Sequence, residues 1–355
     1  MNKKLSCIIC ILAVVMMTRQ IACADSGIAL PTSSAEYSNE FAQYALKLAS
    51  VYTADKTKEL LETEGYSVIA QNNYDKASDD PAHTCAYTVG TQDIVYDGAT
   101  RTLILCTIRG TSAGEWYSNF DFAPSHSADA DYAENFLFAA SDVFIELSSI
   151  LDSYDNPLVL VVGHSRGAAC ANLLGVLLNA RYDSNDIYVY TFATPNTVRK
   201  AMDGCDNIFN IINPCDLVAR MPLSSWGYMR AGHDIVLQND SQLESEIDDA
   251  LLKLNELAPD IESYYTVRHS LTDAGESEDG MTVFEVMLML AKNMAADANN
   301  TELQELQTDS IAQDSDFADL MEYLSKLSGQ WTDNAVLKQH LPDTYMELLS
   351  GNTEG

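Results

Sequence analysis

Positive charge is scarce in this chain: 20 Lys and Arg stand against 52 Asp and Glu, a formal net charge of −32. Such a surface repels phosphate backbones and anionic membranes, which argues against nucleic acid or a charged bilayer as partner. It leans the substrate towards neutral or cationic molecules. Metal-binding patterns are missing too. Past residue 24 there is no Cys-x-x-Cys, and the six histidines are scattered without ligand spacing. No Gly-x-Gly-x-x-Gly or Gly-Lys-Ser/Thr is present to cradle a nucleotide phosphate. Nothing in the composition or motifs calls for a cofactor. No run is long and apolar enough to span a bilayer, and neither repeats nor low-complexity tracts occur.

One apolar run stands out, at the N-terminus. Lys3 and Lys4 precede Leu5 to Met17, and Ala22-Cys23-Ala24 ends in small residues. That order predicts a secretory signal peptide over residues 1–24, cut after Ala24, and hence a secreted protein. Lipoprotein anchoring through Cys23 is a lesser alternative, because Gln20 stands where a branched apolar residue is expected. Removing Lys3, Lys4 and Arg19 leaves 20 − 3 = 17 basic against 52 acidic residues, a formal −35. Of the eight cysteines, Cys7, Cys10 and Cys23 fall in this segment, leaving an odd five. Cys85 and Cys106, on neighbouring strands, form the one pair worth considering as a disulfide. Cys170 reads as a small buried residue on a helix. Cys205 and Cys215 are held apart by a strand.

The remaining sequence predicts alternating helices and strands. Residues 34–64 are helical, with Phe41, Tyr44, Ala45, Leu48 and Ala49 on one face. Thr84 to Val89, Asp93 to Tyr96 and Arg101 to Ile108 read as three short strands, with Asp97-Gly98 as the turn before the third. Residues 132–151 are helical. Leu158 to Val162 is an unbroken apolar run of the kind buried on both faces of a parallel sheet. Ala168 to Asn179 is an apolar helix; Ile187 to Phe192 and Asn207 to Ile212 are strands separated by a weakly helical segment. This alternation predicts an α/β fold with a mostly parallel central sheet flanked by helices. Beyond residue 240 the helices become very acidic. The predicted organisation is a domain over 25–295 and a helical, acidic C-terminal extension over 296–355.

Chemistry concentrates at Gly163-His164-Ser165-Arg166-Gly167. The pentapeptide follows the buried strand and opens the apolar helix directly, so Ser165 is thrust out on a tight strand-to-helix turn. The flanking glycines relieve the close approach of strand and helix, and the helix N-terminus offers free N–H groups. A serine hydroxyl needs a base, and the base a carboxylate to orient it. On this arrangement the partners follow in the order acid, then histidine. Asp216 leaves the strand Asn207 to Ile212 at the functional edge; Asp186 and Asp206 precede their strands, at the wrong edge. His83 and His126 come before the serine, and His340 lies in the extension. His164 should point away from the nucleophile or only gate the pocket. His233 and His269 remain as alternatives for the base.

Residues 40–275 resemble the class 3 lipase family, the fungal triacylglycerol lipases and their bacterial and plant relatives. Ile108-Arg109-Gly110-Thr111-Ser112, followed by Trp116 and Asn119, resembles the family's oxyanion loop. Gly163 to Ala168 resembles its elbow, and Asn213 to Pro222 its acid loop. A His-x-Gly-Phe signature common among relatives is absent, Glu134 to Phe138 keeping only aromatic character. The resemblance implies an α/β-hydrolase fold and a catalytic set of Ser165, Asp216 and His269. Thr111 and the amide of Arg166 would form the oxyanion hole. The implied activity is hydrolysis of carboxylic esters, as a lipase or carboxylesterase acting on a small-molecule ester or lipid. A silent binding protein, a peptidase or an acyltransferase would use the same frame. The lid position, Phe120 to Tyr132, carries Asp129 and Asp131 and little apolar surface, which favours small or dispersed substrates.

Overall fold

The computed structural model of the chain describes residues 30–75, 84–110, 131–257, 259–260, 263 and 337–351. Two N-capped helices come first: α1 (Asn39–Ala49), capped by Ser38 accepting from the Phe41 amide, and α2 (Ala54–Thr63), capped by Thr53. The sheet then runs β1 (Ser67–Asn72), β2 (Tyr87–Tyr96), β3 (Ala99–Ile108), β4 (Leu158–His164), β5 (Ile187–Phe192), β6 (Ile208–Ile212) and β7 (His233–Val236). Its seven strands lie side by side in chain order. β1 to β3 are antiparallel and β3 to β7 parallel. The mostly parallel sheet is as expected. The two short strands expected before residue 97 are instead one strand, β2, because Gly90 to Gln92 stays paired with Leu103 to Leu105. The Asp97-Gly98 turn is a hairpin in which both residues have positive φ, 50° and 73°. β1 and β7 were not predicted.

Helices cover both faces. α3 (Glu134–Leu151) and α4 (Arg166–Asn179) pack with Val159, Val161, Ile187 and Val189 on one side of the sheet. α1 packs with Leu158, Leu160, Val162, Tyr188 and Tyr190 on the other. Successive residues of β4 therefore serve opposite cores, the reason its run is apolar throughout. The weakly helical segment expected between β5 and β6 is irregular chain, tied down at Val198 by bridges to Tyr132 and Met229.

The C-terminal portion corrects the expected domain organisation. A 3-10 turn, Leu337–His340, leads into α6 (Pro342–Gly351), after α5 (Ser241–Leu257). Tyr345 and Leu349 are fully buried in the same core as Phe41, Ala45 and Leu48 of α1. Asn39 at the start of α1 donates to the Leu349 carbonyl at 3.0 Å. Residues 337–351 are thus part of the main body, not of a separate extension. Residues 1–29, including the expected signal peptide, lie outside the described residues, as do 296–336. Cys85 and Cys106 are buried and are not joined in a disulfide; Cys170, Cys205 and Cys215 are buried as well.

Candidate active site

Parallel strands deliver their exits to one edge of the sheet, and the polar residues gathered there build the site. Ser165 follows β4 directly, with φ 59° and ψ −128°. A β-carbon in that region costs about 1–3 kcal/mol and persists only where the surroundings enforce it. Two glycines do so. A β-carbon on Gly163 would lie 2.3 Å from the Gly167 carbonyl oxygen, and one on Gly167 2.3 Å from that of Ile108. The Ser165 amide is anchored to the Phe192 carbonyl of β5 at 2.9 Å. The turn is thereby locked to strands on both sides.

Asp216 sits on the loop leaving β6. The loop closes on itself: the Asp216 amide donates to the Asn213 carbonyl at 3.0 Å, and the Cys215 amide to Asn213 Oδ1 at 3.1 Å. Asp216 is 1% exposed, and Oδ1 accepts from the Val218 amide at 2.9 Å. Its other oxygen accepts from the Tyr345 hydroxyl at 2.8 Å. Burial alone would push this carboxyl up. The His340 charge and the hydrogen bonds from His340 and Tyr345 outweigh it and hold the group below the ordinary carboxylate range. The Tyr345 phenol moves the other way: burial and the Asp216 charge keep it protonated, and so a donor.

His340 joins the two. Its Nδ1 lies 2.9 Å from Asp216 Oδ2 and its Nε2 2.8 Å from Ser165 Oγ. With the carboxylate ionised, Nδ1 carries the proton, so Nε2 presents its lone pair to the serine. His269, expected as the base, lies outside the described residues; the imidazole between Ser165 and Asp216 is that of His340. His233, the alternative, opens β7 at the opposite edge of the sheet, exposed and 3.3 Å from Asp206. Asp186 is likewise at that far edge, in an ion pair with Arg101.

The His340 imidazole is stitched in by its own segment. The Asn213 side chain donates to the Gln339 carbonyl and side-chain oxygen, both at 2.9 Å, and its amide to the Tyr345 hydroxyl at 3.1 Å. Asn239 also donates to Gln339, at 2.8 Å. The acid loop and residues 339–345 therefore form one polar joint. The sequence after His340 carries a signal of its place in the core. Tyr345, Met346, Leu348 and Leu349 follow it at helical spacing, marking a helix with a core-facing side.

Of the expected oxyanion donors, Arg166 opens α4 directly after Ser165. Its guanidinium turns aside, over the Phe136 ring at 5.6 Å. Thr111 lies outside the described residues, as do Trp116, Asn119 and most of the lid position. Gly110 is described, and a β-carbon there would stand 3.7 Å from Ser165 Cβ. The strand β3 thus leads its exit directly against the nucleophile.

His164 faces away from Ser165, buried beneath the base. Its Nδ1 is 3.1 Å from the Tyr52 hydroxyl and its Nε2 3.0 Å from the His340 carbonyl. Burial and the neighbouring His340 charge hold it down to about 3, so it is neutral.

The chain is similar to several lipases. The secreted mono- and diacylglycerol lipase A of Penicillium cyclopium is 26% identical over 242 residues, 59% of this chain and 75% of that protein. Its Penicillium camembertii counterpart matches to the same extent. Among solved structures, the triacylglyceride lipase of Rhizomucor miehei is 19% identical, with a TM-score of 0.43, covering 58% of this chain and 83% of that one. Residues 105–226, which carry the end of β3, the serine elbow and the acid loop, match the class 3 lipase family.

Proposed function

We propose that the protein is a secreted serine hydrolase that cleaves carboxylic esters of the acylglycerol type through Ser165, His340 and Asp216. The observation that carries this reading is the continuous hydrogen-bonded line from Ser165 Oγ through His340 to Asp216 Oδ2, at 2.8 and 2.9 Å, on a strained elbow. The match to the class 3 lipase family and to lipases named for mono- and diacylglycerols supports the substrate class.

The chemistry follows from the protonation states. His340 Nε2 takes the Ser165 proton as Oγ attacks the ester carbonyl, forming the C–O bond and placing negative charge on the carbonyl oxygen. Asp216 stabilises the imidazolium. The Arg166 amide and the exit of β3 at Gly110-Thr111 hold the oxyanion, a contribution of about 3–4 kcal/mol for one such donor. Collapse expels the alcohol, protonated by His340, and leaves the acyl group on Ser165. Water, activated by the same imidazole, then releases the acid.

The test compares His340→Ala with His269→Ala in turnover of p-nitrophenyl esters and in fluorophosphonate labelling of Ser165. His340→Ala is expected to lose turnover by about 10⁴-fold or more, while His269→Ala keeps it. The reverse result would remove His340 from the triad. Absence of labelling and turnover in the unmodified protein would favour a silent binding protein. Short against long acyl chains, with and without an emulsion, reads the lipase-or-esterase distinction.

A further inference from the structure

We propose that His164 and Tyr52 are positioning residues that fix the backbone of the general base, an inference resting on the triad reading above. Ser165 is held by its own strand and helix, but His340 arrives from 175 residues away. A base must stand within about 0.5 Å of its working place, so something beyond its side chain has to fix it. Asp216 secures the outer edge of the ring. The main chain of residue 340 is secured by His164, whose Nε2 is 3.0 Å from the His340 carbonyl.

Hydrogen-bond roles at this contact are forced. A carbonyl oxygen only accepts, so His164 Nε2 carries the proton and Nδ1 the lone pair. The Tyr52 hydroxyl, 3.1 Å from Nδ1, must then donate. Burial and the His340 charge keep His164 uncharged across the working range. Neutrality matters, because the two rings are 5.0 Å apart and a second cation there would oppose the imidazolium that forms in catalysis.

His164 is itself rigid, paired in register with Phe192 across the sheet and fully buried. It immediately precedes the nucleophile. One residue therefore sets the spacing between the serine and the chain that carries its base. Tyr52 extends the same support to the third part of the site. A β-carbon on Gly110 would lie 3.0 Å from Tyr52 Cε1 and 3.0 Å from the His164 carbonyl. The tyrosine ring thus braces the β3 exit while its hydroxyl braces the base.

The experiment measures kcat and KM on p-nitrophenyl butyrate for His164→Leu, His164→Gln and Tyr52→Phe, with melting temperature recorded for each. A base displaced by about 1 Å costs about 10²-fold in kcat, the loss expected of His164→Leu, with KM unchanged. His164→Gln, which can still donate to the His340 carbonyl, should recover most of that loss. Tyr52→Phe keeps the ring and should lose about fivefold in kcat, the value of one hydrogen bond. Wild-type kcat in a folded His164→Leu protein, or equal losses in Leu and Gln variants, would overturn the proposal. Should His164→Leu fail to fold, Tyr52→Phe decides, and an unchanged kcat there overturns it. Full turnover in His340→Ala would instead sink the triad reading itself, whatever His164 does.

Discussion

The proposed nucleophile and the proposed base are held by opposite means. Ser165 owes its place to one continuous run, the β4–turn–α4 unit, where Gly163 and Gly167 allow strand and helix their close approach. His340 owes its place to partners far along the chain: Asp216, Asn213 and His164. Local geometry enforces one half of the site, and a set of individually modest tertiary bonds enforces the other. Damage to the first half should therefore be severe and structural, and damage to the second graded and kinetic.

The largest effect expected is from Gly167→Ala. Its new β-carbon meets backbone at 2.3 Å, with no flexible atom to yield. Overpacking of this kind costs about 3 kcal/mol, to be read by denaturant unfolding, with activity lost alongside. On the other side, Tyr345→Phe leaves Asp216 and the Asn213 amide each short of a buried partner. The expected cost is about 1–3 kcal/mol with kcat reduced and the fold retained. If Tyr345→Phe proved the more damaging of the two, the contrast drawn here would be inverted.

Strain at the elbow gives a finer test. Ser165→Gly and Ser165→Ala both remove the hydroxyl, but only glycine relieves the positive φ. The glycine variant should be the more stable, by about 1 kcal/mol in thermal or chemical unfolding. The last test concerns pH. The unfolded chain protonates His164 as pH falls through 6.5, whereas the folded protein resists until about 3. Stability is therefore lost as pH drops through that window, at most about 1.4 kcal/mol per pH unit. Asp216, held below the ordinary carboxylate range, adds a loss of the same sign at lower pH. His164→Gln should unfold with a shallower pH dependence between 6.5 and 4, and an unchanged slope would deny His164 its buried neutral state.

The same contrast explains what the sequence made legible. β4, the elbow and α4 are readable because burial on both faces, glycine spacing and helix opening are local signals that agree. The Asp97-Gly98 hairpin is readable for the same reason. β1 is not: Ser67-Val68-Ile69-Ala70-Gln71-Asn72 is a short edge strand with mixed exposure, defined by its pairing with β2 rather than by its own pattern. His340 is the sharper case. It stands beyond a strongly acidic stretch, and its role depends on Asp216 and Ser165 being brought to it, which no window of sequence records. The order acid-then-histidine held no information on how far the histidine would be.

The separation of 175 residues between Ser165 and His340 has a consequence in time. A ribosome working at about 5–20 residues per second needs roughly 9–35 s to travel from one to the other. Throughout that interval the emerging polypeptide carries its serine turn, yet it lacks the His340 imidazole that the proposed triad requires. Ester-cleaving power thus arrives late in translation, after the sheet is complete, and the growing chain passes its synthesis unarmed.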